Sequence, residues 1–223
     1  MCAFAAETDA VSPGTRIAYL HGFNSAPASL KGQLLARAIE ALPEEHRPEY
    51  FLPRLAHRPS EAIRMVSTWA GRAPPGDDAG SLTFVGSSLG GYYATWLAER
   101  FAARAVIINP AVRPDRDLAR YVGKQRNLHT GEEYELRAAD IAELARFRVE
   151  RLADPGRYFL LVQSGDEILD YREAVRFYAG AWQSVRGGGD HGFQDFAAQI
   201  PTVLRFAREG FGDRPLPDRS AAR

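Results

Sequence analysis

Cys2 is the only cysteine in 223 residues. One thiol closes no intrachain disulfide and cannot supply a multi-cysteine zinc site, which excludes a disulfide framework and a Cys-based metal centre. Long apolar runs are also missing: no stretch approaches the ~18 residues that a membrane-spanning helix needs. Neither sign of charge dominates. The 28 Lys and Arg residues are balanced by 28 Asp and Glu, so a phosphate backbone meets no broad attraction and nucleic acid is disfavoured as a partner. Met1 to Gly14 lacks a basic region and carries Glu7 and Asp9, so it does not read as a secretion signal; cytoplasmic residence is the expectation. Lysine is nearly absent, with only Lys31 and Lys124, which is read as a mark of genome composition rather than of function.

What is present is ordinary for a folded protein: 45% hydrophobic and 25% charged residues. The length suits one domain. Short apolar runs bounded by turn residues predict strands at Arg16–Leu20, Tyr50–Leu52, Leu82–Val85, Arg104–Asn109, Tyr158–Gln163 and Ser184–Arg186. Helical spacing predicts helices over Ser29–Leu42 with Ser29 as cap, Pro59–Ala70, Gly90–Ala102, Tyr171–Ala181 and Phe193–Glu209, the last exposed to interruption at Pro201. A Pro/Gly/Asp loop is expected from Gly71 to Gly80. Strands alternating with helices, and apolar throughout, imply a mostly parallel six-stranded α/β sheet covered on both faces. The interval 111–155 is far too long for a simple connection. It reads as a cap inserted over the strand ends, with a helical stretch at Ala138–Leu152. The expected domain is 16–209, with 1–15 and 210–223 as loose termini.

Sheets of this kind carry their chemistry beyond the carboxyl ends of the strands. Three features fall there. Gly86-Ser87-Ser88-Leu89-Gly90 follows one strand and opens a helix, the context in which G-x-S-x-G exposes a strained serine above the sheet. Only Ser88 has glycine at both i−2 and i+2. A glycine-rich turn serving helix–strand packing alone stays open; a phosphate loop is disfavoured, since no lysine follows and no G-x-G-x-x-G is complete. Ser164-Gly165-Asp166 follows the fifth strand; Asp166 comes first, with Glu167 and Asp170 as rivals and a helix cap as the alternative for Asp170. Gly187-Gly188-Gly189-Asp190-His191 follows the sixth strand. His21, His46, His57 and His129 compete with His191; His46 and His57 lie in polar, Pro-rich surroundings with no partner motif, and His129 lies in the presumed cap.

Order makes the case. Ser88, Asp166 and His191 occur in the chain order of the α/β-hydrolase version of a Ser-acid-His triad. Serine needs a base to lose its proton, the base needs a carboxylate to fix its tautomer, and the carbonyl oxygen needs donors as charge develops on it. His21-Gly22-Phe23-Asn24-Ser25, after the first strand, is where such folds supply one donor. The N–H groups of Phe23 and Leu89 are therefore the expected oxyanion hole, with His21 bracing the loop. Asn24 and Arg113 are candidate substrate contacts, Arg113 for an anionic group.

At these residues the sequence resembles the YqiA-type small bacterial esterases. The matching stretches are YLHGFNSAPASLK (Tyr19–Lys31), FVGSSLGGYYATWLAERF (Phe84–Phe101), NPAVRP (Asn109–Pro114), TGEEYEL (Thr130–Leu136), SGDEILDYREAV (Ser164–Val175) and GGGDHGF (Gly187–Phe193). The resemblance runs from about Tyr19 to Ala207. It implies a compact α/β-hydrolase with carboxylesterase activity and no metal, and Ser88, Asp166 and His191 as nucleophile, acid and base. The expectation is a serine esterase for small-molecule esters or thioesters, with no cofactor. A thioesterase or small peptidase using the same residues, and a non-catalytic binding protein on this fold, remain as alternatives.

Overall fold

The computed structural model describes residues 14–72 and 81–212. Cys2, most of the Gly71–Gly80 loop and the tail beyond Gly212 lie outside them. In chain order the elements are β1 (Arg16–Leu20), α1 (Leu30–Glu40), β2 (Glu49–Phe51), α2 (Pro59–Ala70), β3 (Leu82–Ser87), α3 (Leu89–Phe101), β4 (Arg104–Ile108), α4 (Pro114–Asp117), β5 (Gly123–Arg126), β6 (Glu133–Leu136), α5 (Ala138–Leu144), β7 (Tyr158–Gln163), α6 (Tyr171–Phe177), β8 (Trp182–Arg186) and α7 (Phe196–Glu209). Six strands form one sheet in the order β2-β1-β3-β4-β7-β8, with every pairing parallel. This is the α/β-hydrolase arrangement that the sequence predicts.

Strand alternation divides the core into two layers. Ile17, Tyr19, Val85, Val106 and Leu161 point to the face covered by α1 and α7, through Leu35, Ile39, Val203 and Phe206. Ala18, Leu20, Phe84, Ile107 and Leu160 point to the other face, where α2 and α3 bring Val66, Trp69 and Leu97. Burial on both faces is why the strands read as unbroken apolar runs. The order reverses between β1 and β3: the chain crosses to β2 on one side and to β4 on the other. A crevice opens at such a point beyond the carboxyl ends, and the HGFNS loop and the Ser88 turn are the two segments that leave the sheet there.

The interval 111–155 differs from its prediction. Besides α4 it holds an antiparallel hairpin, with Gly123 opposite Leu136 and Arg126 opposite Glu133. The expected helix over 138–152 stops at Leu144, and a single 3₁₀ turn follows at Ala145–Phe147. Tertiary contacts override helical spacing here: Phe147 and Leu152 enter the core, while Arg148 turns away to pair with Asp115 at 2.6 Å. Several differences are local. Ser29 stands at the N-terminus of α1 without a capping hydrogen bond. Pro201 lies inside α7 without breaking it, and the helix starts at Phe196 rather than Phe193. Phe211, expected in a loose tail, packs edge-on against Phe159 and Trp182 and at a tilt against Phe206. Among the described residues no helix is long and apolar enough to cross a membrane.

Candidate active site

Ser88 occupies the turn between β3 and α3 at φ 56°, ψ −123°. That conformation is costly for a residue with a side chain, and the surroundings hold it. Ser88 N–H donates to the Ile108 carbonyl at 3.0 Å, and its own carbonyl accepts from Gly91 at 2.9 Å and Ala111 at 3.2 Å. The flanking glycines are needed for close approach. A Cβ on Gly86 would lie 2.2 Å from the Gly90 carbonyl oxygen, and one on Gly90 would lie 2.0 Å from that of Leu20. Helix and strands thus meet backbone to backbone, and the hydroxyl is pushed up from the sheet.

The imidazole of His191 meets it. His191 Nε2 lies 3.1 Å from Ser88 Oγ. On the opposite edge of the ring, Nδ1 lies 3.0 and 2.9 Å from the two carboxylate oxygens of Asp166. With Nδ1–H donating to the carboxylate, Nε2 presents its lone pair to the serine. The Asp166 side chain is 2% exposed and that of His191 is 24% exposed, so the carboxylate is enclosed while the ring edge stays open to a ligand. Asp166 Oδ1 also accepts the N–H groups of Ile168 and Leu169, each at 2.9 Å, which pays part of the cost of burying its charge.

The two rivals of Asp166 do other work. Glu167 accepts the main-chain N–H of His191 at 3.0 Å. Asp170 caps α6 through the N–H of Arg172 at 2.9 Å. The other histidines are elsewhere. His21 is buried, accepts the Leu55 N–H on Nε2 at 3.2 Å and faces the Gly22 carbonyl with Nδ1. Burial lowers its pKa, so it serves as a neutral brace for the loop. His57 stacks on Tyr134 with ring centroids 4.7 Å apart, and His129 is exposed at the hairpin turn.

The histidine loop has supports that sequence reasoning missed. Asn109, at the end of β4 with φ 38°, donates its amide to the carbonyls of Asp190 at 3.0 Å and His191 at 3.2 Å. Gln163, the last residue of β7, accepts from the N–H groups of Asp190 and Gln194 and donates to the Gln194 carbonyl. A Cβ on Gly189 would lie 2.0 Å from Gln163 Oε1, which explains one glycine of the triple. The signal was available: an Asn and a Gln, each closing an apolar strand, are polar groups that need partners when buried.

Lys31, given no role from the sequence, donates to the Gly192 carbonyl at 2.7 Å. Burial lowers its pKa from 10.5 to about 8, opposed by Asp190 and Asp166. A lysine whose folded pKa lies below its unfolded value costs stability wherever it is charged in both states, here below pH 8. Between pH 8 and 10.5 the unfolded chain binds the extra proton, and the cost is relieved as pH rises. Relative to Lys31→Met, the wild type should therefore gain stability as pH rises through that window, read from urea denaturation at each pH. Parallel stability curves for the two proteins would contradict it.

One cavity opens on the serine, and a second shares part of its wall. The first, of about 250 Å³, is lined by Ser88, His191, Phe23, Leu89, Tyr121 and Leu169, with further apolar side chains from Leu118, Leu128 and Ile168. The other, of about 280 Å³, lies across Phe23, Asn24 and Leu89 and is more polar, with His21, Arg54 and His57 in its wall. The N–H groups of Phe23 and Leu89 have no acceptor among the described residues. Arg113 lies outside both cavities; it is exposed and pairs with Asp115 at 3.4 Å. The arginine lining the apolar cavity is Arg120, seven residues further along the chain. Asn24 borders both cavities, but its amide is engaged by the hairpin: Nδ2 donates to Gln125 at 3.0 Å and Oδ1 accepts from Tyr134 at 2.6 Å.

A family model described as uncharacterised protein family UPF0227 matches residues 16–208. It spans most of the chain, and the chain belongs to that family, the one its motifs resemble. Solved structures share the fold. Mouse alpha/beta hydrolase domain-containing protein 10 is 15% identical, with a TM-score of 0.63 over 85% of this chain and 88% of that one. The esterase domain of a Rhodothermus marinus protein is 17% identical, TM-score 0.59, over 91% and 89%. Est1E of Butyrivibrio proteoclasticus, solved with ferulic acid bound, is 14% identical, TM-score 0.59, over 87% and 86%.

Proposed function

We propose that this UPF0227 protein is a serine hydrolase that cleaves small carboxylic esters or thioesters through an acyl-enzyme. The observation that carries the reading is the unbroken hydrogen-bonded line from Asp166 through His191 to Ser88. Its three members arrive from the ends of three different strands. Nothing in the packing of the fold requires a buried carboxylate, an imidazole and a strained serine to align at the mouth of a cavity.

The chemistry follows from the atoms. Ser88 Oγ attacks the substrate carbonyl as His191 Nε2 takes its proton. Asp166 keeps Nδ1 protonated and stabilises the imidazolium. The carbonyl electrons move onto oxygen, where the free N–H groups of Phe23 and Leu89 are the donors; losing one donor of this type costs about 10²- to 10³-fold in rate. His191 returns the proton to the leaving alcohol or thiol. It then removes a proton from water as that water attacks the acyl-serine, and gives the proton back to Ser88 Oγ as the acid leaves. The apolar cavity beside Ser88 suits a hydrocarbon part of the substrate. A cytoplasmic location belongs to the same reading and is checked by cell fractionation.

A fluorophosphonate probe tests the proposal. The expected result is stoichiometric labelling that maps to the peptide containing Ser88 and is lost in Ser88→Ala. A folded protein that resists the probe and leaves every activated ester intact would refute it.

A further inference from the structure

The Phe23 N–H comes from a loop, not from a helix, so something must keep its aim. We infer that Asn24 is a positioning residue that ties this loop to the β5–β6 hairpin, so that the seating of the hairpin sets the oxyanion donor. The inference rests on the serine-hydrolase reading above and extends it to the β5–β6 hairpin, which contributes no residue to the triad.

Asn24 follows Phe23 directly and has φ 53°, a left-handed conformation that Asn tolerates better than most residues. Four hydrogen bonds join this corner to the hairpin. Asn24 Nδ2 donates to Gln125 at 3.0 Å, and Tyr134 Oη donates to Asn24 Oδ1 at 2.6 Å. Leu128 N–H donates to the Asn24 carbonyl at 2.9 Å, and Asn127 Nδ2 donates to the Ser25 carbonyl at 2.7 Å. The link also closes on itself. Gln125 donates to the Tyr121 carbonyl, and the Tyr121 ring lies against Phe23 with centroids 5.7 Å apart. Phe23, Tyr121 and Leu128 line the cavity that contains Ser88. A ligand filling that cavity therefore touches the hairpin and the oxyanion loop together, and seating one seats the other.

Such a device acts on the transition state more than on the ground state. Asn24→Ala should lower kcat about tenfold on a p-nitrophenyl ester and change KM by less than about threefold. The affinity for butylboronic acid, whose tetrahedral adduct on Ser88 places an oxygen in the oxyanion position, should fall by the same factor as kcat/KM. Tyr134→Phe removes one hydroxyl and keeps the ring; a fall in kcat of about threefold is expected, and it carries the test if Asn24→Ala melts early. The double variant should be no slower than Asn24→Ala within about twofold, because both changes cut one link. A raised KM with unchanged kcat, or an unchanged boronate affinity, would overturn the inference. If the wild type turns over esters and labels at Ser88 while both variants match it, only this inference falls. A wild type without turnover overturns the hydrolase reading and this inference together.

Discussion

Ser88→Ala should lose about 10⁴- to 10⁶-fold in kcat on any ester that the wild type cleaves, with the fold intact. The expectation rests on how little else changes. The hydrogen bonds that hold the turn are made by the main chain of residue 88, to Ile108, Gly91 and Ala111, and alanine keeps all of them. Among the described residues the hydroxyl has one side-chain partner, His191 Nε2 at 3.1 Å, and its loss leaves that nitrogen facing the open cavity, where water can reach it. The thermal midpoint should stay within a few degrees of the wild type while turnover drops to background. His191→Ala should fall by a similar factor, because the nucleophile and its base act as one unit. A Ser88→Ala protein with more than about 1% of wild-type turnover would remove serine from the chemistry, provided contaminating esterase is excluded.

Asp166→Asn is expected to cost about 10³- to 10⁴-fold in kcat with KM nearly unchanged. The local hydrogen bonds determine how the amide sits. Oδ1 of Asp166 accepts from Ile168 N–H and Leu169 N–H, so an asparagine would keep its oxygen at that corner and turn its NH₂ toward His191. The imidazole would then accept on Nδ1 and carry its proton on Nε2, the tautomer that cannot take a proton from Ser88. Stability should change little, since the carboxamide fills the same space. Glu167→Gln is the control. Glu167 holds the main-chain N–H of His191, and an amide oxygen can still accept it, so a loss below about tenfold is expected. Steady-state kinetics on both variants, with urea denaturation alongside, separates the roles. If Glu167→Gln loses activity and Asp166→Asn does not, the acid is Glu167.

The legible parts of the sequence are those where local chemistry and tertiary structure ask for the same residues. Leu82–Ser87 is apolar because both of its faces are covered, and Gly86 and Gly90 are small because backbones cross there; both constraints leave a mark on single residues. The sequence marks the strand that starts at Trp182 only from Ser184, because an edge strand carries a weaker apolar signal. The hairpin was invisible for a related reason. Gly123–Arg126 and Glu133–Leu136 are short, largely polar, and paired only with each other. Their position is set by contacts to Asn24 and Ser25, about a hundred residues earlier.

The site shows the same division. Ser88, Asp166 and His191 are marked by glycines and strand ends, and the structure brings the first two within hydrogen-bonding reach of the His191 ring on its opposite edges. Arg113 and Asn24 are expected substrate contacts, and residue type alone does not say which way a side chain turns. Arg113 turns outward to Asp115, and Asn24 turns to the hairpin. Asn109, Gln163 and Lys31 support the histidine loop through main-chain carbonyls and N–H groups, contacts that no spacing rule in the sequence announces.

The central claim is that an acyl group passes through Ser88. Mixing the protein with p-nitrophenyl acetate, quenching in acid within the first turnover and measuring the intact mass tests it most directly. The account predicts a population heavier by one acetyl group, located at Ser88 by peptide mapping, that decays at the steady-state rate and is missing from Ser88→Ala. Turnover that proceeds with no acyl adduct on the protein, or with the adduct on another residue, would contradict it.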